Sequence, residues 1–240
     1  MHTRLPAMEG HTCCLMNKSS LLAIISGWGN NSDGNELILL DVSHLPTVKL
    51  IPTMTQHSEQ HAFRYGFCSV LLSAQVRREL CLSPTWSRTE RDRTDRTGVA
   101  PQESVCGDSL LVFGGCRGGG YSADCSLLYE VAVSVQTDVE AGEASGTACY
   151  RRLAHSGACL TRGYHSASLV RVDGDPCLLV FGGLHEGESC DSLELLHLPT
   201  LVWRQVCSEQ EVLTYGRPTE LNSDRSRWTV CPLLRGWGTR

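Results

Sequence analysis

The chain has 240 residues, of which 41% are hydrophobic and 20% charged, with a formal net charge of -5. That composition excludes wholesale disorder and leaves one or two domains able to bury a core. The negative balance gives no general attraction to nucleic acid or to an anionic membrane, and no apolar run approaches the roughly 20 residues needed to span a bilayer.

In chain order, the first predicted unit opens at Glu9-Gly-His-Thr-Cys-Cys-Leu-Met, a short strand introduced by a turn. Residues 21–27 follow as Leu-Leu-Ala-Ile-Ile-Ser-Gly, an apolar strand stopped by Gly27. An alternating run over residues 35–42 and another over 48–51, separated by Pro46, supply two more strands.

The second unit opens at Arg64-Tyr-Gly-Phe-Cys-Ser-Val-Leu-Leu and carries Leu-Leu-Val-Phe-Gly-Gly at residues 110–115. Strand patterns follow at residues 124–131 and 149–153. The third opens at Arg162-Gly-Tyr-His-Ser-Ala-Ser-Leu-Val and carries the same six residues, Leu-Leu-Val-Phe-Gly-Gly, at 178–183. It continues with Asp191-Ser-Leu-Glu-Leu-Leu-His-Leu, a Pro199-Thr200 break and a closing run containing Trp203. Each unit offers four short strands and no convincing helix. A glycine at the end of a buried strand suits a turn that needs positive φ or close backbone approach.

Repeated groups of four antiparallel strands are the pattern of propeller blades. The third unit, residues 162–206, resembles a kelch repeat along nearly its whole length: the Arg-Gly-x-His-Ser-Ala opening, the Phe181-Gly182-Gly183 core, the Asp191-Ser-Leu strand and Trp203. The first unit departs from that pattern with Ser26-Gly27-Trp28 in place of the double glycine. The second has Phe67 where histidine is expected and Tyr150 where tryptophan is expected. The resemblance implies an all-β, kelch-type β-propeller that is partial, with three recognisable four-stranded blades. Its expected units are residues 1–56, residues 57–153 with two disordered insertions at 83–106 and 135–147, residues 154–212, and an irregular tail or incomplete blade at 213–240. Within that tail residues 233–238 have the shape of the start of a fourth blade, but residues 220–227 before them lack a strand pattern. Three blades do not close a ring, so self-association or missing blades are expected. Because strands alternate in direction, both insertions should emerge on one face and the glycine loops on the other.

Thirteen cysteines are an odd count, and residues 1–10 are short, polar and unlike a secretory signal. A reducing compartment is therefore the expectation, the cytoplasm first with the nucleus not excluded, and with most thiols free. No Cys-x-x-Cys pair occurs, Cys13 and Cys14 should point to opposite faces of a strand, and the His57-x-x-x-His61 spacing has no evident third ligand, so no metal site is expected. The glycine-rich run at 116–120 lies between strands and lacks the helix N-terminus of a phosphate loop. No Gly-x-Ser-x-Gly elbow is present. Neither a catalytic set nor a cofactor is expected.

The resemblance assigns Gly27, Gly114, Gly115, His165, Gly182, Gly183 and Trp203 to structural repeat positions. Partner contacts are expected on the glycine-loop face, at Asn30, Asn31 and Asp33, at Arg117 and Tyr121, and at His185, Glu186 and Glu188. The function expected is a non-catalytic protein-interaction module, a kelch-type adaptor or scaffold. The alternative is an accessory propeller piece of a larger enzyme, such as a tRNA-modifying methyltransferase or an oxidase of the galactose oxidase type.

Overall fold

The computed structural model describes residues 5, 7–16, 20–25, 27, 37–57, 65–83, 85–86, 107–116, 126–138 and 143–207. They are mostly β, arranged as three principal antiparallel sheets in chain order. The first sheet is a meander of β1 (Thr12–Met16), β2 (Leu21–Ile25), β3 (Leu37–Asp41) and β4 (Lys49–Ile51). The second contains β6 (Cys68–Leu72), β7 (Ser109–Phe113), β8 (Leu128–Asp138) and β9 (Glu143–Leu153), with β5 (Thr53–His57) added at its outer edge. The third is formed by β10 (Ser166–Val172), β11 (Asp175–Phe181), β14 (Leu193–His197) and β15 (Val202–Cys207). A small hairpin of β12 (Leu184–His185) and β13 (Glu188–Ser189) interrupts this last sheet between β11 and β14.

Alternation within the strands decides which residues meet. On one face of the first sheet Ala23, Ile25, Leu37 and Leu39 pack against Leu110, Val112, Val131 and Tyr150 of the second. The opposite face of the second sheet, through Val70, Leu111, Phe113 and Leu128, packs against Leu178, Val180, Leu196 and Trp203 of the third. The central strands are apolar on both faces because the second sheet is covered on both sides. Each of the two cores therefore lies between consecutive sheets, and the inner strands β1, β6 and β10 lie side by side.

Two connections repeat. After β4 the chain passes Pro52 and runs as β5 parallel to β9, from Thr53↔Gly146 to His57↔Tyr150. After β9 it does the same in miniature: Ser156 bridges Val202 in parallel, with Trp203 N–H donating to Ser156 C=O at 2.8 Å. In both cases the segment leaving one sheet caps the outer strand of the next. A strand edge that would otherwise stay unpaired is thereby partly satisfied.

Two differences from the sequence reading stand out. A helix, α1 (Ala74–Cys81), follows β6 directly, capped by Ser73 and by Asp108, which accepts from Ala74 N–H at 2.8 Å. Its core face is only Val76 and Leu80, one turn apart, too short a stripe for a periodicity search to find. Of the stretch 135–147, expected as a disordered insertion, residues 135–138 and 143–147 are described and belong instead to paired strands. There β8 and β9 stay paired out to Thr137↔Ala144 and Asp138↔Glu143, and β5 lies along β9 at residues 146–150. Small and acidic residues suit the exposed end of a twisted two-stranded ribbon as well as they suit a loop. The other expected insertion, residues 83–106, falls mainly outside the described residues, as does the tail from 208 onward.

Candidate interaction surface

The turn before each inner strand has one residue with positive φ: Gly10 at 65°, Gly66 at 66° and Tyr164 at 56°. These three turns are stacked. Gly66 N–H donates to Gly10 C=O at 2.9 Å, and Tyr164 N–H donates to Gly66 C=O at 2.5 Å. Tyr65 exchanges both backbone bonds with Cys116, at 3.1 and 2.8 Å, which ties the turn of the second sheet to the end of its own β7. In the third sheet the corresponding exchange joins Gly163 to Leu184, at 3.1 and 2.8 Å.

The repeat motif owes its side chains to this junction. Arg162, fully buried, donates through Nη1 to Gly182 C=O at 2.9 Å and through Nη2 to Ser192 Oγ and Glu194 Oε1, each at 2.8 Å. One guanidinium therefore holds the start of β10 to the Gly182-Gly183 turn and to the start of β14, using the planar fork that lysine lacks. Gly115 N–H donates to Arg162 C=O at 3.0 Å, so the double glycine of one sheet receives the opening turn of the next. At Gly114, with φ of 74°, an added Cβ would lie 2.5 Å from Cε1 of His165.

His165 is buried between sheets. It packs edge-on against Phe113 with centroids 5.3 Å apart, and its Nε2 lies 3.0 Å from Cys68 Sγ. Burial pushes the Cys68 thiol up to about 12, and burial followed by the Arg162 charge holds the imidazole down to about 4. Both partners are therefore neutral near pH 7. A thiolate and imidazolium pair, which a nucleophilic cysteine requires, is disfavoured here.

Gly114, Gly115, Gly182 and Gly183 all have positive φ, at 74, 94, 69 and 94°. A Cβ on Gly27 would collide with the backbone of Glu9, Gly10 and His11. Trp203 is buried 4.7 Å from the ring of Phe113.

Of the expected contact residues, Asn30, Asn31, Asp33, Arg117 and Tyr121 lie outside the described residues. The other three share the β12–β13 hairpin. His185 is half-buried with Nδ1 2.6 Å from Thr161 C=O, which anchors the hairpin to the segment entering β10. Glu186, at φ of 52°, and Glu188 are exposed at the tip. In the turn before β10, Tyr164 is 46% exposed and meets Tyr65 edge-on at 6.1 Å. Sequence reasoning missed Tyr164 as a surface residue, because its position in the repeat, between Gly163 and His165, reads as an interchangeable spacer.

Among the described residues no group of three His, Cys, Asp or Glu side chains converges as a metal site, and Cys13, Cys14, Cys68, Cys159, Cys177 and Cys190 are not disulfide-bonded. No described helix is long and apolar enough to cross a membrane. No protein-family model matches the chain, and no curated protein matches it.

Proposed function

We propose that the three sheets are consecutive blades of a kelch-type propeller and that the chain is a non-catalytic protein-interaction module. The observation that carries the reading is the stacked series of turns at Gly10, Gly66 and Tyr164, each joined to the last by the same backbone bond. A radial repeat needs such a rule, since every blade must meet its neighbour in the same way. On this reading the loops of successive blades come to one end of the scaffold, where Tyr65 and Tyr164 meet edge-on and the β12–β13 hairpin carries the exposed Glu186 and Glu188. Tyrosine supplies large contact area at small conformational cost, and the two glutamates favour a partner with basic side chains. The likeness of residues 162–206 to a kelch repeat supports the same assignment.

The test is selection from a peptide or protein display library on immobilised chain, followed by binding to Tyr164→Ala and to Glu186→Lys/Glu188→Lys. Ligands enriched in Arg or Lys that lose tenfold or more in affinity on both variants support the reading. Ligands that bind all forms equally place the site elsewhere. An empty selection counts against an interaction module.

A further inference from the structure

We infer that Tyr164 is the platform of a subsite for an arginine side chain of a partner peptide, with the guanidinium against the tyrosine ring and facing the carboxylate of Glu9. The inference deepens the interaction reading and rests on it, since it names the side chain that the surface takes.

The backbone singles Tyr164 out. Gly10, Gly66 and Tyr164 hold the same place in their three turns, with φ of 65, 66 and 56°. Glycine enters that left-handed region at no steric cost, whereas a residue with a Cβ rarely adopts it. Two of the three sheets have glycine there, and the third carries an aromatic ring in spite of the strain. Residues held in sparsely populated conformations gather at binding and catalytic sites.

The ring is also fixed in place. An added Cβ on Gly66 would lie 3.1, 3.1 and 3.2 Å from Cδ2, Cε2 and Cδ1 of Tyr164. Nearly equal distances to atoms on both sides of the ring mean that one face of it lies flat over Gly66. Tyr65 meets it at an interplanar angle of 62°, with centroids 6.1 Å apart. Held from these two directions, Tyr164 still exposes 46% of its surface. A ring packed in this way needs little further ordering when a ligand arrives.

Charge selects the occupant. Glu9 is exposed and precedes Gly10, whose C=O accepts the Gly66 N–H at 2.9 Å. Burial, followed by the charge of Glu9, pushes the Tyr164 hydroxyl up, so this carboxylate acts on the tyrosine from nearby. An anion beside an exposed ring favours a cationic ligand, and the negative face of the π system does the same. Guanidinium is planar and stacks on an aromatic ring while its remaining N–H groups reach a carboxylate. An ammonium is a compact, strongly hydrated point charge. Arginine is therefore the side chain that uses both parts of the site.

The experiment is a two-dimensional NMR titration of the full chain, labelled with 15N-glycine and 13C-tyrosine, by blocked Gly-Arg-Gly, Gly-Lys-Gly and Gly-citrulline-Gly up to about 20 mM. The Gly66 amide reports on the site in every variant. Expected for wild type are saturable shifts of Gly66 and Tyr164 with the arginine peptide, and binding about threefold or more weaker with lysine. Citrulline, which keeps the shape and lacks the charge, should not bind. Tyr164→Gly removes the left-handed strain together with the ring, so the variant stays folded, which circular dichroism checks. It should weaken arginine binding about fivefold or more. Glu9→Gln should weaken it about two- to fivefold, and Tyr164→Phe, which keeps the ring, should leave it within about twofold. Lysine bound as tightly as arginine, binding of citrulline, or undiminished binding to Tyr164→Gly each overturns the inference. So does the absence of any shift in wild type. These failures leave the interaction module standing where the display selection returns ligands indifferent to Tyr164→Ala.

Discussion

The imidazole of His165 lies 3.0 Å from the thiol of Cys68, across the interface between the third and second sheets. With the thiol directed at Phe113 C=O, 3.6 Å away, Sγ is placed to accept from Nε2–H. Nδ1 is then buried without a partner. The pair is a neutral contact between sheets, and its consequence is a dependence of stability on pH.

His165 titrates near 4 in the folded chain and near 6.5 when unfolded, chiefly because burial disfavours the charged ring. Above pH 6.5 both states are neutral and the group has no linkage effect. As pH falls from 6.5 toward 4 the unfolded state takes up the proton first, so stability drops. A displacement of this size corresponds to at most about 3 kcal/mol. Urea unfolding of wild type and His165→Asn at pH 7.5, 6, 5 and 4.5 measures it. The variant should be less stable at pH 7.5, and the difference between the two should shrink as the pH is lowered. A constant difference across the range would contradict a neutral buried ring.

Gly114 and Gly174 separate two reasons for a glycine. Both have positive φ, 74 and 92°, but an added Cβ at Gly114 meets His165 whereas one at Gly174 meets nothing within 4 Å. Gly174→Ala should cost only the conformational strain, about 1 kcal/mol. Gly114→Ala should cost about 2 kcal/mol more, since the backbone and the His165 ring must both move. Thermal melts of the two variants read the contrast directly. Equal losses would show that the Gly114 junction is loosely packed.

The glycine-terminated strands, the four-strand units and the buried Trp203 were legible because they depend on local pattern: alternation, a φ only glycine adopts readily, and identical hexapeptides. What escaped depends on partners far apart in the chain. Nothing near Arg162 announces Glu194, and nothing near Cys68 announces His165. Glu194 was the nearest to a signal, a carboxylate within an apolar alternating run, and its burial makes sense only with the guanidinium beside it. The parallel capping by β5 escaped for the same reason, since residues 53–57 pair with residues 146–150.

Two tryptophans should respond differently to phenylalanine. Trp86 Nε1–H donates to Leu198 C=O at 2.6 Å, from one side of the core between the second and third sheets to the other. Trp203 lies in the same core, but its Nε1 has no hydrogen-bond partner. Trp203→Phe therefore loses packing alone, about 1 kcal/mol. Trp86→Phe also strands a buried carbonyl and should cost about 1 to 3 kcal/mol more. Chemical denaturation followed by circular dichroism distinguishes them, and a larger loss at Trp203 would contradict the assignment.

Glu130 joins helix α1 to the second sheet and carries the last prediction. Its Oε1 accepts from Arg77 Nε at 2.7 Å and from Ser109 Oγ at 3.0 Å, and its Oε2 accepts from Arg151 Nε at 3.0 Å and from Arg151 Nη2. The Arg151 guanidinium also lies 5.4 Å over the ring of Trp86. Burial pushes the carboxyl up, but Arg151 and Arg77 outweigh it and hold it below the usual carboxylate range. Its contribution is present above the unfolded pKa and is lost as the pH falls through the folded one. Glu130→Gln leaves two guanidinium groups facing a neutral amide in a largely buried site, and should cost about 3 to 5 kcal/mol at pH 7. Glu130→Leu/Arg151→Met removes a buried charge of each sign and should be less damaging than the sum of its single variants. A double-mutant cycle by urea unfolding reads the coupling, and strictly additive losses would mean that the carboxylate and Arg151 are not held together.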